Sequence, residues 1–315
     1  MFRERIQARQ LSAWLFTAMV PVAIQLLGGE SWAMVVVAGI VGMALVCILW
    51  QCPRRPSKIE CIFLFIYVVV LMGELLQRTS QSWPVGKSDL AVPLILLALA
   101  GWSAFKGLSD AARVGAVLFW VVVVLYLAVF AAGVKDVKLS WLEPQWRIPD
   151  ELGLAVLLLP AATGVLLKEK GTPGKKGWML VAFVFIGVLI TSGVLSQMIA
   201  KETTNAFYEM SRSLDLLGVA RRFEALICAG TTVGWFALLS LLLSLCSSYV
   251  QSLFGGWDRS GVLLATVAAA GWKLCGLHIK PVFLLLTGAV FWVIIPILTQ
   301  GLGKIKKSQK NENSA

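Results

Sequence analysis

Pro21 and Pro160 are the residues of this chain whose type and spacing most directly suggest chemistry. Each lies about ten residues into a long apolar segment, so each falls near the middle of a membrane-spanning helix. A proline there has no N–H to donate and leaves one backbone carbonyl without its helical partner. Inside a bilayer such a group must be satisfied by protein, by water or by a ligand. Freed carbonyls at mid-membrane suit a cation or the ammonium of a small zwitterion. Polar side chains about one turn from these prolines complete the candidate ligand set: Thr17, Pro21 and Gln25 in the first segment, Pro160 and Thr163 in the sixth. Glu74 joins them. With Glu151 it is one of only two acidic residues inside the apolar segments, and a charge held at mid-membrane is costly enough to imply function. Both acids stand close to segment ends, which allows the plainer reading of interfacial residues. His278, the only histidine, sits beside Lys280 in a polar loop and reads as interfacial rather than as a proton relay.

The elements that must carry these residues follow from composition. Of 315 residues, 58% are hydrophobic and 14% are charged, and the mean hydropathy is +0.81. A soluble domain has about 25% charged residues, so a cytosolic enzyme, a secreted domain and a disordered chain are excluded. Spanning helices need about 20 apolar residues each. Ten segments qualify: 11–28, 31–50, 61–76, 90–105, 114–133, 151–167, 178–198, 225–247, 260–272 and 281–300. The ninth is short, and its helix is expected to continue to about Leu277, with Lys273 reaching the headgroups. The expected fold class is therefore an all-α polytopic membrane protein of about ten transmembrane helices. No cleavable leader is legible before the first segment.

With the N-terminus inside, 17 of the 28 Lys and Arg fall on the cytoplasmic side. This bias places both termini in the cytoplasm. The net charge of +11 is spread over all the loops. It reads as membrane topology and affinity for anionic lipid, not as a nucleic-acid surface. Cys47, Cys52, Cys61, Cys228, Cys246 and Cys275 form no CxxC pair, so neither a disulfide framework nor a metal site is expected, and no cofactor is implied. With no HExxH motif and no pair of intramembrane acids, an enzyme is not expected.

The stretch 134–150 divides the ten segments into five (1–133) and five (151–300), with a basic tail over 301–315. Because five is odd, any similarity between the halves is an inverted repeat. That is a transporter architecture with its site at the midplane between discontinuous helices. Pro21 and Pro160 hold corresponding places in the two halves. Trp14, Trp120, Trp235 and Trp292 lie deep in their segments, whereas the other tryptophans mark the interfaces.

Four stretches resemble the spore germination permease family. They are Ile6-Gln7-Ala8-Arg9-Gln10-Leu11 with Gly29-Glu30-Ser31-Trp32; Trp102–Leu108 through Ala112-Arg113; Leu142-Glu143-Pro144; and 208–224, in which Arg212, Arg222 and Glu224 stand at the family's charged positions. The resemblance implies a ten-helix protein of the amino-acid/polyamine/organocation transporter superfamily, LeuT-like, with a five-plus-five inverted repeat. It implies a nutrient-sensing subunit in the spore inner membrane that binds an amino acid or similar small molecule. Its partners would be a lipid-anchored subunit and a second membrane subunit. A secondary amino-acid transporter of the same fold is the alternative. The chain departs from the family in Val20-Pro21, where glycines would open the first helix. It departs again in the short distance from Pro144 to Glu151, and in Trp83-Pro84, where a Thr-Pro pair would stand. Read from its residues alone, 208–224 is an amphipathic helix at the outer interface. Met210, Leu214 and Leu217 lie on one face, and the pairs Arg212–Asp215 and Arg221–Glu224 are spaced for exposed ion pairs. It would be either a connecting helix or a gate or docking surface for a partner.

Overall fold

The computed structural model describes residues 6–51, 56–80, 90–146, 148–167, 169, 171–203, 205–214, 223–255 and 258–299. The helices are α1 (Ala8–Leu27), α2 (Trp32–Gln51), α3 (Lys58–Ser80), α4 (Ala91–Lys106), α5 (Leu108–Gly133), α6 (Glu151–Ala162), α7 (Gly174–Leu195), the short α8 (Gln197–Glu202) and α9 (Ala206–Ser213), α10 (Phe223–Phe254), α11 (Asp258–Leu274) and α12 (Pro281–Ala289). A 3-10 turn over Thr163–Leu166 continues α6, and a π turn over Val290–Ile294 continues α12. No strand occurs among the described residues. Seven helices are long and apolar enough to cross a membrane: α1, α2, α3, α5, α7, α10 and the helix through α12. Ala91–Lys106 and Glu151–Leu166 are shorter apolar helices, and α11 has 17 residues. The ten sequence segments thus all correspond to helices. α11 ends at Leu274, three residues short of the expected Leu277.

α1 is the centre of the bundle. It packs against α5, α6, α7 and α10, and 83% of its apolar window is buried, against 22% for Pro281–Thr299. In a bilayer, helices associate through close packing and hydrogen bonds, because lipid is as apolar as leucine. α1 is built for that. A Cβ at Gly234 of α10 would stand 2.5 Å from Pro21 Cβ, and one at Gly187 of α7 would stand 2.6 Å from Ile24 Cδ1. Only glycine lets those backbones approach so closely. Thr17 and Trp14 of α1 bond to backbone. Thr17 Oγ1 donates to Gly115 O (2.9 Å) or to Ala13 O (3.0 Å), and Trp14 Nε1 donates to Ala237 O at 3.2 Å.

Backbone bonds show which helix ends share a face. Ile6 N–H donates to Leu166 O at 3.2 Å, and Gly171 N–H to Trp50 O at 3.4 Å. The start of α1, the end of α2, the end of the α6 segment and the start of α7 therefore lie together. At the opposite face the 134–150 stretch is pinned down rather than loose. Lys138 N–H donates to Gly193 O at 2.9 Å, Trp32 Nε1 to Leu142 O at 3.3 Å, and the Ser31 hydroxyl to Gln145 O. This is the alternation that the segment count requires. The face carrying 134–150 is called the outer face below.

Two expectations about the outer helix ends are corrected. α3 runs to Ser80, so Glu74 is well inside a helix and only 7% exposed. Lys273 does not reach headgroups. It is 5% exposed, and its ammonium donates to Gln77 Oε1 at 2.9 Å. Glu151 opens α6, as a helix-end residue should. The deep tryptophans separate. Trp14, Trp235 and Trp292 are 2% exposed or less and pack between helices, whereas Trp120 is 64% exposed and faces outward.

Candidate functional site: a charged outer cleft

The prolines do not mark matched breaks. α1 passes through Pro21 as a continuous helix to Leu27. The neighbouring chain fills the space that a break would open, since Gly234 sits against the Pro21 ring. α6 does change character after Pro160, tightening into the 3-10 turn at Thr163. The carbonyl that Pro160 would free is that of Val156, one turn back; the Pro160 carbonyl itself is taken up by protein. It accepts from Thr163 N–H, from Thr163 Oγ1 at 2.7 Å and from Trp50 Nε1 at 3.0 Å. Thr17 and Thr163 are fully buried and bonded to backbone. The mid-membrane region expected to hold a ligand is packed with side chains.

Glu74 is also occupied. Its Oε1 accepts from Ile279 N–H at 2.8 Å and from Trp272 Nε1 at 3.3 Å, and its Oε2 lies 3.5 Å from His278 Nδ1. It anchors the loop after α11. His278 is 67% exposed at the surface of this pair, in keeping with an interfacial residue.

Of the expected ligand residues, only Gln25 borders open space. An outer cleft of about 280 Å³ is lined by Gln25 and Leu26 of α1, Gly29 and Glu30 of the α1–α2 turn, Arg78 of α3, Asp150, Ala200, Lys201 and Glu202 of α8, Thr203 and Ala206. Local sequence explains each part. Gly28 and Gly29 end α1, and a Cβ at Gly29 would collide with the Ala200 carbonyl, so only glycine lets the turn pass beneath α8. Ser196 takes φ 63° and turns the chain out of α7 into α8. A non-glycine residue there is strained by about 1–3 kcal/mol. Gln25 is held from behind: Trp235 Nε1 donates to its Oε1 at 2.9 Å. Arg78 lies 3.6 Å from Asp150, whose side chain is 19% exposed. Burial raises the Asp150 pKa above its ordinary value of 3.8; Glu151 adds to the rise and Arg78 opposes it. The cleft therefore presents cations from Arg78 and Lys201 beside carboxylates from Glu30, Asp150 and Glu202.

The helix within 208–224 covers the protein, not the lipid. α9 is shorter than expected, and its Phe207 and Met210 are 1% and 0% exposed. Phe207 stacks on Tyr126 with centroids 5.6 Å apart. The buried stripe includes Met210 and Leu214 as expected, but α10, α7 and α1 bury it. Arg212 pairs with Glu209 at 3.3 Å and with Glu224 at 3.8 Å, so two of the three expected partner or gate residues meet within the chain. Asp215, Leu217, Arg221 and Arg222 lie outside the described residues, as do Cys52, Trp83 and Pro84.

Sequence reading missed Arg78, Asp150, Lys201 and Glu202. Each is a charge at a segment end, which by itself reads as an interfacial residue. The Arg78–Asp150 pair joins residues 72 positions apart in the chain, and nothing local announces it.

No family model matches the sequence, and no curated protein matches it. Among solved structures the chain is similar to Mhp1, a nucleobase-cation-symport-1 family transporter, in a closed conformation with bromovinylhydantoin bound. The TM-score is 0.58 at 14% identity, over 92% of this chain and 78% of Mhp1. At that identity the likeness speaks for the fold alone. The chain is an integral, multi-pass, all-α membrane protein with a LeuT-like transporter fold.

Proposed function

We propose that this protein is a secondary transporter for a small zwitterionic solute of the amino-acid class, admitted through the outer cleft. The observation that carries the reading is the convergence of Arg78 and Lys201 with Asp150, Glu30 and Glu202 around Gln25. Guanidinium and ammonium groups match a carboxylate, and the carboxylates match an ammonium. A site with both signs on opposing segments takes a zwitterion in preference to a simple anion or cation. The fold is one in which such a solute passes between helix groups by alternating access, although fold by itself does not assign function. Uptake of radiolabelled amino acids into proteoliposomes tests the reading. Saturable uptake that Arg78→Met and Asp150→Asn each reduce supports it. Absence of both uptake and binding across the amino acids overturns it.

A second reading has its own observation. α1 is unbroken at Pro21, and the Thr17 hydroxyl, the Pro160 carbonyl and the Thr163 hydroxyl all bond within the protein. A sensor does not need a path through its centre. On this reading the solute shifts the protein between two states by its differential affinity for them, and partner subunits read the shift. This is the nutrient-receptor role in a spore inner membrane that the sequence resemblance implies, with a lipid-anchored subunit and a second membrane subunit as partners. Saturable binding with flat uptake selects this reading over transport. Recovery of partner subunits in pull-downs, reduced by Glu224→Lys, would extend it.

A further inference from the structure

α4 and α11 lie side by side and run in opposite directions. Arg259, at the start of α11, holds its guanidinium 5.3 Å from the centre of the Phe105 ring near the end of α4. Farther along the pair, a Cβ at Gly101 of α4 would stand 3.1 Å from Thr266 Oγ1 of α11. The glycine lets the two helices close to contact along this seam. Phe105 and Arg259 lie on the face opposite the outer cleft, because α3 reaches the cleft at Arg78 and α4 then crosses back.

Both helices of the seam are short. α4 has 16 residues and α11 has 17, about 24 and 26 Å at 1.5 Å per residue, against a hydrocarbon core of about 30 Å. A bilayer meets such a pair by thinning locally, which draws headgroups toward the helix ends. Each helix also carries an apolar stripe that faces outward and ends on an exposed cation. On α4, Ile95, Leu99 and Trp102 are more than half exposed and lead to Lys106. On α11, Val267 and Leu263 are more than half exposed and lead to Arg259. Lys106 and Arg259 form no ion pair among the described residues, whereas Arg113, on the same face, is taken by Asp110 at 3.6 Å. Each of the two is instead held over an aromatic ring, and Lys106 Nζ lies 5.5 Å from the centre of Trp102. A cation drawn to a ring face keeps N–H groups for an acceptor. Lys176 also lies over a ring, but that ring is Phe119, which is buried.

Two free cations at headgroup depth, each ending an apolar stripe, match a molecule with an anionic phosphate head and acyl chains. Arginine and lysine both bind phosphate, the first as a fork and the second as a point charge. A soluble anion would use the cations and leave the stripes bare, and a neutral lipid would do the reverse.

We infer that the α4–α11 seam is a binding site for one anionic phospholipid, its phosphate shared by Lys106 and Arg259 and an acyl chain laid along the α4 stripe beside Trp102. The general attraction of a basic face for anionic lipid is spread over all its lysines and arginines; this site concentrates it at two of them. The site stands independently of the outer cleft and of what that cleft carries.

The test uses the full chain in dodecylmaltoside micelles, labelled with 5-fluorotryptophan and observed by fluorine NMR. The Trp102 signal is the resonance missing from Trp102→Phe. Dioleoylphosphatidylglycerol and dioleoylphosphatidylcholine serve as probes, alike in acyl chains and differing in net headgroup charge. The expected result is a saturable shift of the Trp102 resonance with the glycerol lipid. The choline lipid should need a mole fraction about thirtyfold higher, since each basic residue beside an anionic headgroup is worth about fivefold in binding. Lys106→Gln and Arg259→Gln should each raise the half-saturating mole fraction of the glycerol lipid about fivefold. Lys175→Gln, which removes an exposed cation at the start of α7 on the same face, should leave it unchanged. If one of the two seam variants fails to fold, the other decides. Equal affinity for both lipids, a shift linear in lipid, or equal weakening by Lys175→Gln would each overturn the site. Glycerol 3-phosphate alone should not move the resonance; a saturable shift with it would overturn the lipid as occupant and leave a soluble phosphate in its place.

Discussion

The Trp235 indole donates to the Gln25 amide oxygen at 2.9 Å, fastening α10 to the outer end of the central helix at the one expected ligand residue that borders the cleft. Trp235 is fully buried, so the two changes that break this bond differ in cost. Gln25→Leu strands the indole N–H in the interior and should lower stability by about 1–3 kcal/mol. Trp235→Phe removes the donor, leaves Gln25 able to turn toward the cleft, and should cost less in hydrogen bonding while changing solute affinity more. Thermal unfolding in detergent, read beside solute binding, separates the two effects.

Gly115 of α5 faces the Trp14 indole, which a Cβ would overlap. Gly115→Ala should destabilise by about 1–3 kcal/mol, the usual cost of overpacking. Gly271 of α11 has nothing within 4 Å of its would-be Cβ. Gly271→Ala should therefore be neutral or stabilising by about 0.5–1 kcal/mol through helix propensity. Opposite signs in paired unfolding measurements check the packing around α1; equal effects would contradict it.

Asp150 gives the outer cleft a pH dependence. Its pKa in the folded protein is raised above 3.8, chiefly by burial. A carboxyl whose folded pKa exceeds its unfolded one contributes stability at low pH, and that contribution is lost as pH rises through the folded value. Relative to Asp150→Asn, the wild-type protein should thus lose stability as pH climbs from about 3.8. Arg78→Met removes the nearby cation that opposes the rise, so it should move the transition to higher pH. Unfolding midpoints of the three proteins across an acid series read the sign directly.

Glu74 accepts from Ile279 N–H and Trp272 Nε1, so Glu74→Ala should free the loop after α11. Hydrogen exchange at the Ile279 amide should then quicken. The same loop reports orientation. Cys275 is exposed, and the charge bias leads us to expect this face outside the cell. A membrane-impermeant maleimide should label Cys275 in intact cells, in a variant whose other cysteines are replaced by serine. Labelling only after lysis would invert the topology.

Much of the fold was legible along the chain because lipid imposes a local test. A segment either has enough consecutive apolar residues or it does not, and a charge such as Glu151 or Lys58 marks where it ends. That test was less reliable at Glu74 and Lys273, which are charged yet inside helices. They are tolerated there because α3 and the loop after α11 supply partners, Ile279 N–H for one and Gln77 for the other. Of the residues that line the outer cleft, only Gln25 was among the ligand residues expected from sequence. Pro21 suggested a break because a missing N–H is visible in sequence, whereas the glycine that fills the space beside it, Gly234, lies more than 200 residues away.

Sequence alone therefore determined that this is a many-helix membrane protein and where its helices lie, because hydropathy and charge act over neighbouring residues. Only the tertiary structure decided which polar groups meet. It closed the mid-membrane positions at Thr17, Pro21, Pro160 and Thr163, and it assembled Gln25, Arg78, Asp150 and Lys201 from separate segments into a cleft. Whether a polar group is free or satisfied depends on what packs against it, and in this chain the packing partners come from distant turns of the bundle.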